Sequence, residues 1–327
     1  MRALVLRGSR LALDSLYPDN VGREVPAGEV LIRPTRMGVC STDLELCKGY
    51  MAFEGVLGHE FVGVVEAAGS DVDNAWVGQR VVGEINCVCG VCDMCRGGLR
   101  EHCRDRTVLG IMGRDGCFAE RFVLPAANLH KVPGNVDDDR AVFVEPLAAA
   151  LQILRQLTIE GRPYVTVLGD GRLGLLCAQV LSTLNATVRC VGKHDSKLGL
   201  CEKWGIKHRL LDDVGLRQDQ DIVVDCTGSA SGLTTAMAML RPRGTLVLKT
   251  TVAPGQLGEG FDLSPIVINE LNVIGSRCGP FAEALDWLSR EAVDVVSLIS
   301  RRMKLSDGPA VLEQANKPGV IKVLLEP

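Results

Sequence analysis

The run Tyr164-Val165-Thr166-Val167-Leu168 ends in Gly169-Asp170-Gly171-Arg172-Leu173-Gly174 and leads into the apolar stretch 175–184. A buried-strand run, a G-x-G-x-x-G turn and a helix-like segment, in that order, form the context that a dinucleotide fingerprint requires. The glycines permit a tight turn and a close approach of the backbone to a pyrophosphate, which would rest on the helix N-terminus. Strand-like runs recur at 187–191, 207–211, 221–226, 245–249 and 271–274, with helix-like segments between them. Six strands alternating with helices predict an α/β fold with a doubly wound parallel sheet. Where an acid is expected at the end of the second strand, to meet the adenosine ribose, the chain has Gly192, followed by Lys193 and His194. Those two cationic side chains would suit a 2′-phosphate and tilt the expectation from NAD toward NADP. The alternative is a solvated basic turn, with Asp195 taking the acid's role after a small shift of register.

The first half reads differently. Short β runs at 1–6, 30–33, 61–66, 79–83 and 118–123 are separated by turn residues such as Pro18, Gly22, Pro26 and Gly28. Many brief strands with little helix predict an irregular β domain or partial barrel. A length of 327 residues exceeds one ordinary hydrophobic core, so two domains are expected. The net charge of −4 with mixed signs gives no reason to expect nucleic acid or an anionic membrane as partner. No run approaches the roughly 18 apolar residues of a membrane span, and Arg7, Arg10 and Asp14 break up any secretory core. Thirteen cysteines without an export signal imply a reducing compartment, the cytoplasm, where thiols bind metal or lie buried.

Four of them, Cys89, Cys92, Cys95 and Cys103, follow the pattern C-x2-C-x2-C-x7-C. Four thiolates on one short loop can close around zinc and leave no position open to substrate. Gly90, Gly97 and Gly98 supply freedom to wrap the ion. Cys87 is left over as a spare thiol, and His102 is a conceivable competitor to Cys103 as fourth ligand. A second set lies at 38–60, where Cys40, His59 and Glu60 offer the thiolate, imidazole and carboxylate that suit a reactive zinc. Spacing alone leaves Cys40 open to being a small buried hydrophobe and His59 a structural histidine. Glu145 and Pro146 at the start of an apolar helix fit an N-terminal turn, where an acid complements the dipole.

Gly38-Val39-Cys40-x-Thr42-Asp43, Gly58-His59-Glu60-Phe61-Val62-Gly63 and the four-cysteine loop together resemble the zinc-containing medium-chain alcohol dehydrogenases. Within that family the chain is closer to the sorbitol and threonine dehydrogenase branch than to the liver-type enzymes. The resemblance implies a GroES-like catalytic domain, 1–146 and 278–327, into which the C-terminal tail returns, and a Rossmann dinucleotide-binding domain, 147–277. It implies Cys40 and His59 as catalytic zinc ligands, with Glu60 binding the metal or exchanging with its water. It further implies Asp43 as the acid that orients the histidine, Thr42 as the hydroxyl that relays the substrate proton, and Glu145 as a further ligand. Thr227, in the turn Asp225-Cys226-Thr227-Gly228, falls beside the cofactor. One position departs from the pattern: Glu45 stands where the family commonly places a relay histidine.

The expected activity is zinc-dependent, reversible oxidation of a secondary or polyol-like alcohol, with hydride passing to NAD(P). The alternatives are a nicotinamide-dependent reductase that does without catalytic zinc, and a non-enzymatic nucleotide-binding scaffold. A small-molecule alcohol or carbonyl substrate and a homodimer or homotetramer complete the expectation.

Overall fold

The computed structural model describes residues 1–18, 24–252 and 262–327, and the turn expected at Gly22 lies outside them. The chain forms two compact units, one of Met1–Glu145 with Phe281–Pro327, the other Pro146–Pro280.

The first unit is built on a sheet whose strands lie in the order Leu129–Lys131, Arg80–Gly83, Glu60–Ala68, Glu29–Gly38, Lys322–Glu326 and Ile299–Lys304. Phe122–Pro125 also pairs with Glu29–Gly38. The long strand Glu29–Gly38 is the hub. Its pairing with Glu60–Ala68 shifts register between Leu31 and Ile32 and again between Pro34 and Arg36. Pro34 has no N–H to give the ladder, and such irregularities bend a strand and raise its twist. Val30, Ile32, Met37, Phe61, Val62 and Val65 are buried between the sheet and its surroundings. Phe61 and Phe122 meet edge to face, with ring centroids 4.8 Å apart. The tail strand pairs Leu324 with Gly38 and Leu325 with Met37, which brings the far end of the chain beside the 38–60 segment.

Two local expectations change. The strand expected at 118–123 begins only at Phe122; the Phe118 amide instead donates to the Leu57 carbonyl at 2.9 Å, and the Phe118 carbonyl accepts from the Leu4 amide at 2.8 Å. The segment after Cys40 is a helix, Ser41–Cys47, in a region whose strand runs gave no helical signal.

The second unit carries six parallel strands in the order Lys207–Leu210, Thr187–Gly192, Tyr164–Leu168, Gln220–Asp225, Leu240–Leu248 and Asn272–Gly275. Every expected run is a strand, the fifth beginning five residues earlier than its apolar part. Val165, Val167, Cys190, Val223, Val224, Leu246 and Val247 are buried, the continuous apolar character of a parallel sheet covered on both faces. The helix Arg172–Ser182 follows the glycine-rich turn. The fold class is the expected one: a doubly wound parallel sheet together with a β-rich unit.

Candidate active site

The strand Glu29–Gly38 ends at Gly38, and the chain turns through Cys40 into the helix Ser41–Cys47. Asp43 makes that turn. Its Oδ2 accepts a hydrogen bond from the Cys40 amide at 2.8 Å, satisfying one of the donors a helix start leaves open. Its Oδ1 faces His59 Nδ1 at 3.4 Å. One carboxylate thereby meets both the backbone amide of Cys40 and the His59 imidazole. Gly58 precedes this histidine with φ +96° and lies so close to Phe118 that a Cβ would enter the phenyl ring. A side chain there would meet both backbone strain and a buried aromatic.

Cys40, His59 and Glu60 each offer a ligand atom within 4.8 Å of the others. Asp43, His59 and Glu60 are buried. Burial alone would draw the His59 imidazole down, but Asp43 and Cys40 outweigh it and hold its pKa well above the ordinary value.

Sequence reasoning missed Lys322. It is fully buried, its Nζ contacts Glu60 Oε2, donates to the Val39 carbonyl at 3.2 Å, and lies 5.6 Å from the centre of the Phe143 ring. Burial draws the ammonium down to about 8, with Cys40 and Asp43 pulling the other way. A Cβ at Gly38 would come within 2.5 Å of both Glu60 Oε2 and Lys322 Nζ, so that glycine makes room for the pair. The signal that could have found Lys322 is a charge inside the apolar run Val320-Ile321-Lys322-Val323-Leu324-Leu325, where an unpaired ammonium would be costly. Two buried carboxylates and a thiol face that lysine charge, and the sulfur, nitrogen and oxygen donors of Cys40, His59 and Glu60 fit a divalent cation such as zinc.

Thr42 Oγ1 lies 3.6 Å from Cys40 Sγ. Glu45, in the family's relay-histidine position, is ion-paired with Lys48 at 2.8 Å on the surface. Glu145 occupies the first turn of the helix Val144–Gln156 beside Pro146, and it is not in the 4.8 Å set.

The sulfurs of Cys89, Cys92, Cys95 and Cys103 form a second set within 4.8 Å. Cys103 lies 3.5 Å from Cys89 and 3.8 Å from Cys92. Amides of Arg104 and Cys95 hold the Cys92 thiol down to about 6. Burial and the neighbouring sulfurs push Cys95 up to about 12. Four thiols so close cannot all ionise unaided, and a divalent cation relieves that repulsion. Arg104 grips Asp93 through two bonds of 2.7 and 2.8 Å and braces the loop. Cys87 stands outside the set, with Asn128 Nδ2 at 3.8 Å from its sulfur, and His102 takes no place in it.

In the second unit, Gly169 has φ +116° and Gly174 is packed so closely on the Gly169 carbonyl that a Cβ would overlap it. Gly171 is the N-cap of the helix Arg172–Ser182. Thr227 donates from its amide and hydroxyl to Asp225 Oδ1, at 2.9 and 2.7 Å, which holds the turn after the fourth strand of the chain's parallel series.

Residues 26–134 match the alcohol dehydrogenase GroES-like domain, and residues 173–290 match the zinc-binding dehydrogenase domain. An L-threonine 3-dehydrogenase of Streptomyces avermitilis is 34% identical, with 93% of each chain covered. A zinc-binding dehydrogenase of Sinorhizobium meliloti 1021, solved with NADP bound, superposes with a TM-score of 0.87 at 30% identity, covering 100% of this chain and 99% of its own. An alcohol dehydrogenase of Escherichia coli, solved with NADH, also gives a TM-score of 0.87, at 27% identity and with the same coverage.

Proposed function

This chain belongs to the zinc-binding, medium-chain alcohol dehydrogenase family and is an NAD(P)-dependent oxidoreductase, and from that premise we propose the roles of its residues. Cys40, His59 and Glu60 hold the catalytic zinc. Glu145 joins them as a further ligand on the strength of the family resemblance. When bound, zinc supplies Lewis acidity toward an alcohol oxygen. Asp43 keeps the His59 ring turned with Nε2 toward the cluster. Thr42 accepts a hydrogen bond from the substrate hydroxyl and helps convey its proton outward. Cys89, Cys92, Cys95 and Cys103 hold a second zinc that closes the loop and takes no part in the reaction.

Gly169, Gly171, Arg172, Leu173 and Gly174 cradle the pyrophosphate, while Gly192, Lys193 and His194 border the adenosine ribose and Thr227 lies beside the cofactor. The catalytic domain comprises 1–146 and 278–327 and the dinucleotide-binding domain 147–277, a division that the two compact units support. The substrate is a secondary or polyol-like alcohol and its carbonyl counterpart.

The observation that carries this reading is the convergence of Cys40, His59 and Glu60 in one buried cluster. Metal analysis combined with a cofactor-reduction screen over secondary and polyhydroxylated alcohols, run with NAD and NADP, tests it. Two zincs per chain with turnover are expected. Fully zinc-loaded protein that reduces neither cofactor with any of these alcohols would remove the proposed activity.

The strand Asn272–Gly275 lies at the edge of its sheet, with Val273 exposed, and Val267 and Ile268 nearby in sequence are each 76% exposed. An apolar sheet edge of this kind favours pairing with a second copy, and we assign a homodimer or homotetramer. Sedimentation velocity at micromolar concentration is expected to show the oligomer; a monomer throughout would dismiss it. The cytoplasm is the compartment we assign, because a chain with thirteen cysteines, four of them spaced to bind metal, suits a reducing compartment. No helix among the described residues is long and apolar enough to cross a membrane.

A further inference from the structure

Gly192 closes the strand Thr187–Gly192 at the place where a dinucleotide-binding sheet ordinarily carries the acid that meets the adenosine ribose. It has no side chain, yet a carboxylate stands there. Asp170, the second residue of the glycine-rich turn, is buried and reaches across from the neighbouring strand end. Its Oδ2 accepts from the Lys193 amide at 2.9 Å and from the His194 amide at 2.6 Å. The same oxygen lies 3.0 Å from His194 Nδ1, and Oδ1 lies 3.2 Å from it. A Cβ at position 192 would come within 2.5 Å of Asp170 Oδ2, so an acid on the second strand and Asp170 in this pose exclude each other. The glycine is the space into which the Asp170 carboxylate fits.

We propose that Asp170 selects the nucleotide, standing in for the missing acid of the second strand and making the chain prefer NAD to NADP. The proposal rests on the reading of Pro146–Pro280 as the dinucleotide-binding unit. Lys193 and His194 suggested a seat for a 2′-phosphate, but an anion of the protein's own already holds the two amides and the imidazole that such a phosphate would use. A phosphate would have to displace that carboxylate or lie against a like charge, which is unfavourable. A 2′-hydroxyl carries no charge and can donate to a carboxylate whose oxygens have lone pairs to spare. Asp195, the other acid considered for this role, is exposed and begins the helix Asp195–Lys203.

Fluorescence titration of the purified full chain with NADH and NADPH tests this without turnover. Wild-type protein is expected to bind NADH more tightly by roughly tenfold or more, the scale of one close charge pair near a surface. Asp170→Asn keeps the shape and removes the charge, and is expected to move the NADH-to-NADPH ratio toward NADPH by about the same factor. Asp170→Ser, with the carboxylate removed altogether, is expected to move it the same way and serves if the asparagine variant fails to fold. An unchanged ratio in the folded variants overturns the proposal, as does wild-type protein that binds NADPH the more tightly. A ratio that shifts in Asp195→Asn and not in the Asp170 variants would return the role to Asp195 and likewise overturn it. Binding of neither nucleotide by wild-type protein would remove the dinucleotide-binding reading itself, and the proposal with it.

Discussion

Cys40→Ser is expected to lower turnover by roughly a thousandfold, because a bound catalytic metal contributes several kcal/mol of transition-state stabilisation and each 1.36 kcal/mol is a factor of ten. Serine keeps the size of the side chain but offers a hydroxyl where the cluster of Cys40, His59 and Glu60 has its soft, anionic donor. Metal content should fall from two zincs per chain to one, since the sulfurs of Cys89, Cys92, Cys95 and Cys103 form a separate set. The fold should survive: Asp43 bonds the backbone amide at position 40 and not its side chain. Metal analysis and alcohol oxidation measured on the same preparation check this. A variant with one zinc and undiminished turnover would disprove the catalytic role of the cluster.

Lys322→Met is expected to have the largest effect on stability, a loss of about 3–5 kcal/mol, the usual cost of removing one partner of a buried ion pair. Methionine roughly matches the length of the lysine stem, so the change isolates the ammonium that meets the Glu60 carboxylate. Both side chains are fully buried, and water cannot take over the role of the lost charge. Adding Glu60→Gln to Lys322→Met should recover a good part of the loss, because the charge left behind is then removed as well. Thermal unfolding of the two single variants and the double variant, all prepared metal-free, measures the coupling. Equal stability of Lys322→Met and the parent chain would show that the contact carries no energetic weight.

The parts of this molecule that were legible in the sequence are those whose chemistry is local. The four-cysteine loop could be read because thiols at short spacing on one turn have few uses besides metal. The dinucleotide turn could be read because strand, glycines and helix follow one another within about twenty residues. The strand runs of the parallel sheet were visible because burial on both faces makes them uniformly apolar. The helix Ser41–Cys47 was not visible: it is short, and its start depends on the Asp43 carboxylate capping the Cys40 amide, a contact that periodicity does not register. Glu145 stands in the first turn of the helix Val144–Gln156, where the sequence alone allows either an acid that complements the dipole or a ligand.

The sequence by itself put Cys89, Cys92, Cys95 and Cys103 on one short loop and the glycines of 169–174 between a strand and a helix, because residue type and short spacing are local properties. Tertiary structure alone decided how the charges are balanced. Lys322 reaches Glu60 only because the tail strand pairs beside Gly38, and Asp170 fills the place above Gly192 only because the first two strands of the parallel sheet lie side by side. Electrostatic energy depends on distance through space, and distance through space between residues far apart in the chain is set by strand pairing rather than by sequence spacing.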